Sequence, residues 1–486
     1  MPSSPPPSPW HLIIIGAGFA GLALGLRLRQ QGEENFLLLE QAPSAGGTWR
    51  DNRYPGCACD VPSHLYSLSS GPAWDWSRRY ADHREIEAYL QQVARELDPH
   101  IRYQTQVVSA HWEAREGTWK VHLNTGETLA SRFLAAAPGP LTTPSLPIIP
   151  GIDTFTGPVV HSARWPDALD VAGKRVALIG TGASAIQIAP AIAPRVQHLT
   201  VFQRTAPWIV AREDRPYTAH ERQRWREQTG WRQWYRSWLY LRQEIKAAAF
   251  LHPSLMQRLE KSALSKLHQA VQDPVLRQLL TPADPMGCKR ILLSDDYWHT
   301  LQRPHVTLET DPITRIEGQN IITREGRTHQ VDVLVCATGF RYQDNPMAAL
   351  FTGENGQSLE AFWAPQRGAY LGLMMPPFPN FFLLTGPFSG LGHNSIVFMI
   401  ESQVNWIIDT LGWLRRHGKM TLRLKDSAYA SFMTEMNIRS KRTLWMQGCH
   451  SWYLDGQGRN TALWPGYSLG FWWRTRRFSP KDFIHG

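Results

Sequence analysis

One pattern constrains this chain more than any other, and the chain carries it twice: an apolar run, a glycine loop, a helix and a second apolar run. The first copy reads HLIII at 11–15, GAGFAG at 16–21, a helical stretch LALGLRLRQQG ending at Gly32, and FLLLE at 36–40. Short runs rich in β-branched and other large apolar residues predict buried strands. Gly16 permits a tight turn, Gly18 lets the backbone approach a pyrophosphate, and Gly21 lets the helix pack on its strand. Amide donors at the helix start then face phosphate oxygens. Glu40, at the tip of the second strand, is expected to accept from a ribose hydroxyl.

The second copy runs through RVALI (175–179), the loop Gly180, Thr181, Gly182, Ala183, Ser184 and Ala185, the helix IQIAPAIA, and LTVFQR (199–204). Ala185 stands where the third glycine would, a replacement the motif tolerates. Its strand tip carries Gln203 and Arg204 instead of an acid. An acid there repels a 2′-phosphate, whereas an arginine pairs with it through charge-assisted hydrogen bonds. The first unit is therefore expected to take FAD and the second NADPH. The fold class that follows is α/β, with two Rossmann-like dinucleotide-binding domains.

At 486 residues the chain has room for two or three domains. Its net charge of +10 suits nucleic acid, an anionic membrane or phosphate-bearing cofactors, and charge alone does not choose among them. Residues 1–9 are Pro/Ser-rich and read as a disordered tail. The most apolar segment, SIVFMIESQVNWIIDTLGWL from Ser395, is interrupted by Glu401, Gln403, Asn405 and Asp409, so it reads as an amphipathic core helix and not a membrane span. Five cysteines do not make a disulfide framework, and Cys57 and Cys59 lack a second ligand pair for zinc. No metal site is expected, and the compartment is expected to be reducing and cytoplasmic.

Two longer motifs add a resemblance. GGTWRDNRYPGCACD (46–60) fits G-G-x-W-x-x-x-x-Y-P-G-x-x-x-D through Gly46, Gly47, Trp49, Tyr54, Pro55, Gly56 and Asp60. FTGPVVHSARWP (155–166) fits F-x-G-x-x-x-H-x-x-x-W-P through Phe155, Gly157, His161, Trp165 and Pro166. Together they make the chain resemble the Baeyer–Villiger branch of the class B flavin-containing monooxygenases. The segments FLLTGPFSGLGHNSIVFMIESQ (382–403) and SWYLDGQGRN through LWPG (451–466) extend the likeness over nearly the whole length.

The resemblance implies an enzyme in which NADPH reduces FAD, O2 adds to give a C4a-peroxyflavin, and a small-molecule ketone becomes an ester or lactone. N- or S-oxygenation of a heteroatom is the alternative, and a non-oxygenating flavin reductase a weaker one. A disulfide reductase needs wider cysteine spacing than Cys57 and Cys59 offer. No nucleic-acid partner and no transmembrane segment is expected.

For the site, the resemblance implies Arg290 as the cation facing a developing oxyanion, with Asp60 orienting it. Gly47, Thr48, Trp49, Asp60, Tyr66 and Val107 would join the glycine loop around FAD. Gln187 would join the second loop, and Lys289 would meet Arg204 and Thr205 at the 2′-phosphate. Three departures stand out: the first linker reads Ala137-Pro138-Gly139 where the second reads Ala337-Thr338-Gly339, Ala58 replaces an arginine common in relatives, and GLGHNS (390–395) resembles heteroatom-oxidising members.

The expected domain plan has FAD-binding parts at 10–145 and 340–486, the latter including a substrate-side C-terminal region. NADPH-binding parts span 146–212 and 286–339, and a helical insert fills 213–285. Trp225, Trp231, Trp234 and Trp238 sit in the insert at helical spacing among arginines. A membrane-surface or nucleic-acid role is conceivable for this stretch. The favoured expectation is a solvated helical face over the substrate cleft, with the aromatics packed. His161 has no Ser, Cys or acid at triad-like spacing, so it is expected to pack with Trp165 at the junction between the domains.

Overall fold

The computed structural model describes residues 9–449 and 451–486; the expected tail, save its last residue, lies outside them. The chain builds two separate sheets around its two glycine loops. In the first, an eight-stranded sheet, Trp10–Ile15 lies between Phe36–Leu39 and Thr128–Ala136, parallel to both. Leu12, Ile13 and Ile14 are fully buried, as a strand covered on both faces should be. An antiparallel meander, Val107–Glu113, Thr118–Leu123 and Thr128–Ala136, widens one side. Phe381–Leu383, from the C-terminal part, also pairs with Thr128–Ala136, which explains why distant chain segments share one core.

The helix Phe19–Gln30 covers this sheet and packs on the helix Ile396–Arg416. Ser395 caps the latter by accepting from the Val397 amide. That helix buries one face, including Val397, Ile400, Val404 and Ile407. Among the described residues, no helix is long and apolar enough to cross a membrane.

The second sheet has five parallel strands in the order Val306–Glu309, His198–Phe202, Arg175–Ile179, Val333–Cys336, Val159–His161. The two sheets repeat one local geometry. The Gly16 amide donates to Leu39 O (2.8 Å) and that of Gly180 to Phe202 O (3.1 Å). Each first glycine also has a positive φ, and a Cβ there would strike a linker carbonyl: Ala137 O at 2.6 Å from Gly16, Ala337 O at 2.5 Å from Gly180. Glycine is therefore required by both conformation and space.

The two linkers hydrogen-bond to each other. Ser145 N donates to Gly339 O (2.9 Å), Arg341 N to Thr143 O (2.9 Å) and Thr338 Oγ1 to Ser145 O (2.5 Å). His161 joins them: its Nδ1 accepts from Ala163 N (3.1 Å), so Nε2 carries the proton and donates to Gly339 O (3.0 Å). Burial lowers its pKa, keeping the ring neutral, and the Gly339 contact opposes that shift. Both the crossings and His161 thus converge on one carbonyl.

The stretch between Asp214 and Pro285 is helical: Ala219–Glu227, Thr229–Leu251, Pro253–Ala270 and Pro274–Leu280. Thr218 and Glu221 form a reciprocal capping box at its start. Trp225 is buried and stacks on Tyr235 with ring centroids 5.0 Å apart. Trp231 is half-buried, but Trp234 and Trp238 are exposed, against the expectation that the aromatics pack. They lie on the side of their helix opposite Leu239 and Ala247, which meet the core. A second correction concerns the cysteines. Cys288 and Cys449 form a disulfide across a sequence separation of 161 residues, with Cα atoms 5.3 Å apart. Nothing in local spacing announces such a pair, because only the fold brings the two segments together. Cys57, Cys59 and Cys336 are buried and free.

Candidate active site

At the first loop, two glycines from different segments face each other. A Cβ on Gly47 would lie 3.2 Å from the Gly18 Cα, and one on Gly18 would lie 3.8 Å from the Gly47 Cα. Gly47 has a φ of +52°, so side chains are disfavoured there twice over. Gly21 packs the helix against its strand: a Cβ would sit 1.8 Å from Gly16 O. Gly18 caps the helix without any side-chain bond, which leaves amide donors for an anion. These features fit the pyrophosphate of a dinucleotide.

Glu40 is buried, and its carboxylate is largely engaged. It accepts from Ala17 N (2.8 Å), Ala42 N (3.0 Å) and Arg50 Nη1 (3.1 Å). A carboxylate has about four acceptor positions, so one stays open while the others tie the strand tip to the glycine loop and Arg50. Arg50, unnoticed in the sequence, thus belongs to this site. Thr48 is exposed at the start of a short helix whose Trp49 is buried. Trp49 Nε1 donates to the Tyr66 hydroxyl (3.3 Å), and Phe19 meets the same ring edge-on at 5.0 Å. Burial raises the Tyr66 phenol well above its ordinary value. Val107 is buried at the start of its strand, close behind Thr105, whose amide donates to Glu40 O (2.9 Å).

In the second loop, a Cβ on Gly182 would meet nothing within 4 Å, so the space above it is open. Ser184 precedes the helix Ala185–Ile192 with no side-chain cap, and Ala185 is fully buried beneath. Thr181 Oγ1 donates to Thr205 O (3.0 Å), and Lys289 Nζ reaches Thr205 Oγ1 at 3.3 Å while pairing with Asp284 at 2.5 Å. Arg204 is exposed beside them. Arg204, Thr205 and Lys289 therefore gather at one rim, with Ala183 in the loop alongside. This set suits a phosphorylated ribose.

Gln187 departs from expectation. Its amide does not face the open space over Gly182 but clamps the other domain: Oε1 accepts from the Tyr54 hydroxyl (3.0 Å) and Nε2 donates to Ala58 O (2.9 Å). The approach is close, since a Cβ on Gly56 would lie 2.5 Å from Gln187 O. Gly56 serves this contact between the loop and the helix.

Two residues beyond Ala58 lies Asp60. Arg290, 230 positions away, donates to its Oδ2 through Nε (3.0 Å) and Nη2 (2.6 Å), leaving Oδ1 outside the pair. Both side chains keep about a third of their surface exposed, at 35% and 29% for Arg290 and Asp60. The Asp60 charge raises the guanidinium pKa, outweighing burial. The strand pairing of Ile209–Val210 with Leu292–Leu293 sets the backbone just after Arg290. Tyr453, in the segment after Cys449, shares this environment: burial pushes its phenol up to about 12, with Arg290 pulling it back.

Phe250 comes from the insert. Its ring reaches within 3.5 Å of where a Cβ on Gly287 or on Gly392 would stand, between the Arg290 segment and GLGHNS. Neither Tyr453 nor Phe250 carries a signal in sequence spacing. A separate hollow of about 470 Å³, lined by His111, Trp112, Glu354 and Asn355, contains none of these residues.

The comparisons with known proteins bear on this site. Residues 13–229 match the pyridine nucleotide-disulphide oxidoreductase family. A Baeyer-Villiger monooxygenase of Streptomyces coelicolor is 42% identical over 97% of this chain and 92% of its own. One of Pseudomonas aeruginosa is 38% identical over 97% and 90%. The solved structure of OTEMO in complex with FAD and NADP superposes with a TM-score of 0.88 at 27% identity, covering 98% of this chain and 99% of that one. With two glycine cradles in register and identity of this extent along nearly its full length, the chain belongs to the Baeyer–Villiger monooxygenase family.

Proposed function

We propose that this chain, an NADPH- and FAD-dependent monooxygenase, oxidises a small organic ketone to an ester or lactone, with Arg290 as its catalytic cation. The observation that carries this reading is the Arg290–Asp60 pair: a permanently charged, partly exposed guanidinium that joins the segment carrying Lys289 to the one carrying Gly47 and Trp49. The loop Gly16, Gly18 and Gly21 with Gly47, Trp49 and Glu40 would hold FAD, and Gly180, Gly182, Arg204, Thr205 and Lys289 would hold NADPH. Bound flavin, reduced by NADPH, supplies the activation of O2. The protein's own part is positioning and electrostatics. Oxygen addition to a ketone turns the carbonyl oxygen into an oxyanion, and Arg290 stabilises that charge. Asp60 orients the guanidinium, and its remaining oxygen stays available to a hydrogen-bond donor.

Arg290→Ala is expected to keep NADPH-driven flavin reduction while ester formation falls by about a hundredfold or more, the loss typical of one oxyanion-stabilising donor. Ester formation at an unchanged rate overturns the role assigned to Arg290. Heteroatom oxygenation is a second reading, favoured by GLGHNS, whose His393 and Asn394 bond Glu244 from the insert. It generates no carbonyl oxyanion, so under that reading sulfide oxidation survives in Arg290→Ala.

A further inference from the structure

The insert and the C-terminal helix expose apolar side chains that the reaction does not use. On Thr229–Leu251, Trp234, Trp238, Leu241 and Ile245 recur at i, i+4, i+7 and i+11, one stripe along the helix. All four are exposed, Trp234 at 53% and Ile245 at 65%. The helix Ser468–Thr475 adds Leu469, Trp472 and Trp473, the last 60% exposed. The two helices are tied at their meeting point: Tyr240 bonds Ser468 (3.1 Å), and Glu244 accepts from Ser468 Oγ (2.6 Å) and Leu469 N (2.9 Å). The patch is therefore one rigid surface and not two independent flaps. Isolated exposed apolar residues need no explanation, but a contiguous set marks an interaction surface.

Charge identifies the partner. Residues 229–251 and 468–478 hold seven Lys or Arg, of which Arg236, Arg242 and Arg474 pair with Glu401, Glu213 and Glu435, while their single carboxylate, Glu244, is buried and consumed by the tie. Arg476 sits 3.5 Å over the Trp473 ring and Arg242 lies 5.6 Å from that of Trp238. Among the described residues, Arg476 and Arg477 meet no carboxylate within ion-pair range. A second copy of the chain would bring the same cations against them, so like charge opposes self-association. Tryptophans flanked by arginines on a helix too polar to span instead suit the interface of an anionic bilayer, where rings enter the headgroup region and guanidinium groups meet phosphates.

We propose that this patch docks the enzyme, lying flat, on an anionic lipid bilayer. The inference stands apart from the reaction assigned above. Full-length protein loaded with FAD is floated with vesicles of phosphatidylcholine, alone or mixed with phosphatidylglycerol, at low and high salt. Binding is expected with the anionic vesicles only, weakening with salt. Trp234→Ser combined with Trp238→Ser and Ile245→Gln, and separately Arg476→Glu combined with Arg477→Glu, are each expected to weaken it about tenfold or more, with NADPH oxidation in solution unchanged. Flotation unaffected by both sets overturns the proposal. So does a wild-type dimer that the Trp set dissociates without vesicles, or binding to a nucleic-acid duplex in place of vesicles.

Discussion

Among single residues, Arg204 carries the most specific claim. It is exposed at the strand tip beside Thr205 and Lys289, with no acid replacing it. A charge-assisted hydrogen bond contributes about 1.5–3 kcal/mol, so Arg204→Ala is expected to raise the KM for NADPH roughly 10- to 100-fold. The KM for NADH should hardly move, and an unchanged ratio of the two in steady-state kinetics removes the case for 2′-phosphate recognition. Arg204 was legible because its position follows from a short motif. Gln187 was not: its residue type fits a cofactor contact, and only the packing of the helix Ala185–Ile192 on Gly56 turns its amide toward Tyr54 and Ala58.

Between elements, the decisive joint is Glu244, through which the helix Thr229–Leu251 holds both GLGHNS and the C-terminal helix. Burial would push this carboxyl up, yet donors from His393, Leu469, Ser468 and Asn394 bring it down to about 2. A depressed carboxyl stabilises the fold above its unfolded pKa of about 4.3, and the contribution disappears as pH falls toward 2. Such a shift corresponds to about 3 kcal/mol. Glu244→Gln is expected to lower the urea midpoint at pH 7 and to abolish the wild type's loss of stability between pH 4.5 and 2 that this group contributes. Equal acid sensitivity in both proteins contradicts the assignment. The helical spacing of the insert was readable in the sequence, whereas the C-terminal helix of this joint was not read there. The exposed stripe was not readable either, because periodicity shows that a face exists without showing whether anything covers it.

For the molecule as a whole, Cys288–Cys449 fastens the Arg290 segment to the C-terminal part. Closing a loop of 161 residues contributes roughly 5 kcal/mol on the chain-entropy account. Reductant is therefore expected to lower the Tm of the wild type, and Cys288→Ser should start at the lower value and be insensitive to reductant. A wild-type melting curve that reductant leaves in place contradicts a stabilising disulfide. The same long-range logic governs the crossings, where His161 and the paired linkers share Gly339 O.

The amino-acid sequence by itself determined the two glycine loops, their strands and helices, the Glu40 and Arg204 tips, and the family. Each of these depends on backbone conformations set by near neighbours, such as the positive φ that Gly16 and Gly180 require. Tertiary structure alone decided that Gln187 serves the opposite domain, that Cys288 finds Cys449, that Tyr453 shares the surroundings of Arg290, and that Phe250 packs between Gly287 and Gly392. Those meetings join residues far apart in the chain, and they form only once both sheets, the insert and the C-terminal segment have packed. The Arg290–Asp60 pair lies between the two: a family motif names its members, and the fold supplies the 2.6 Å contact.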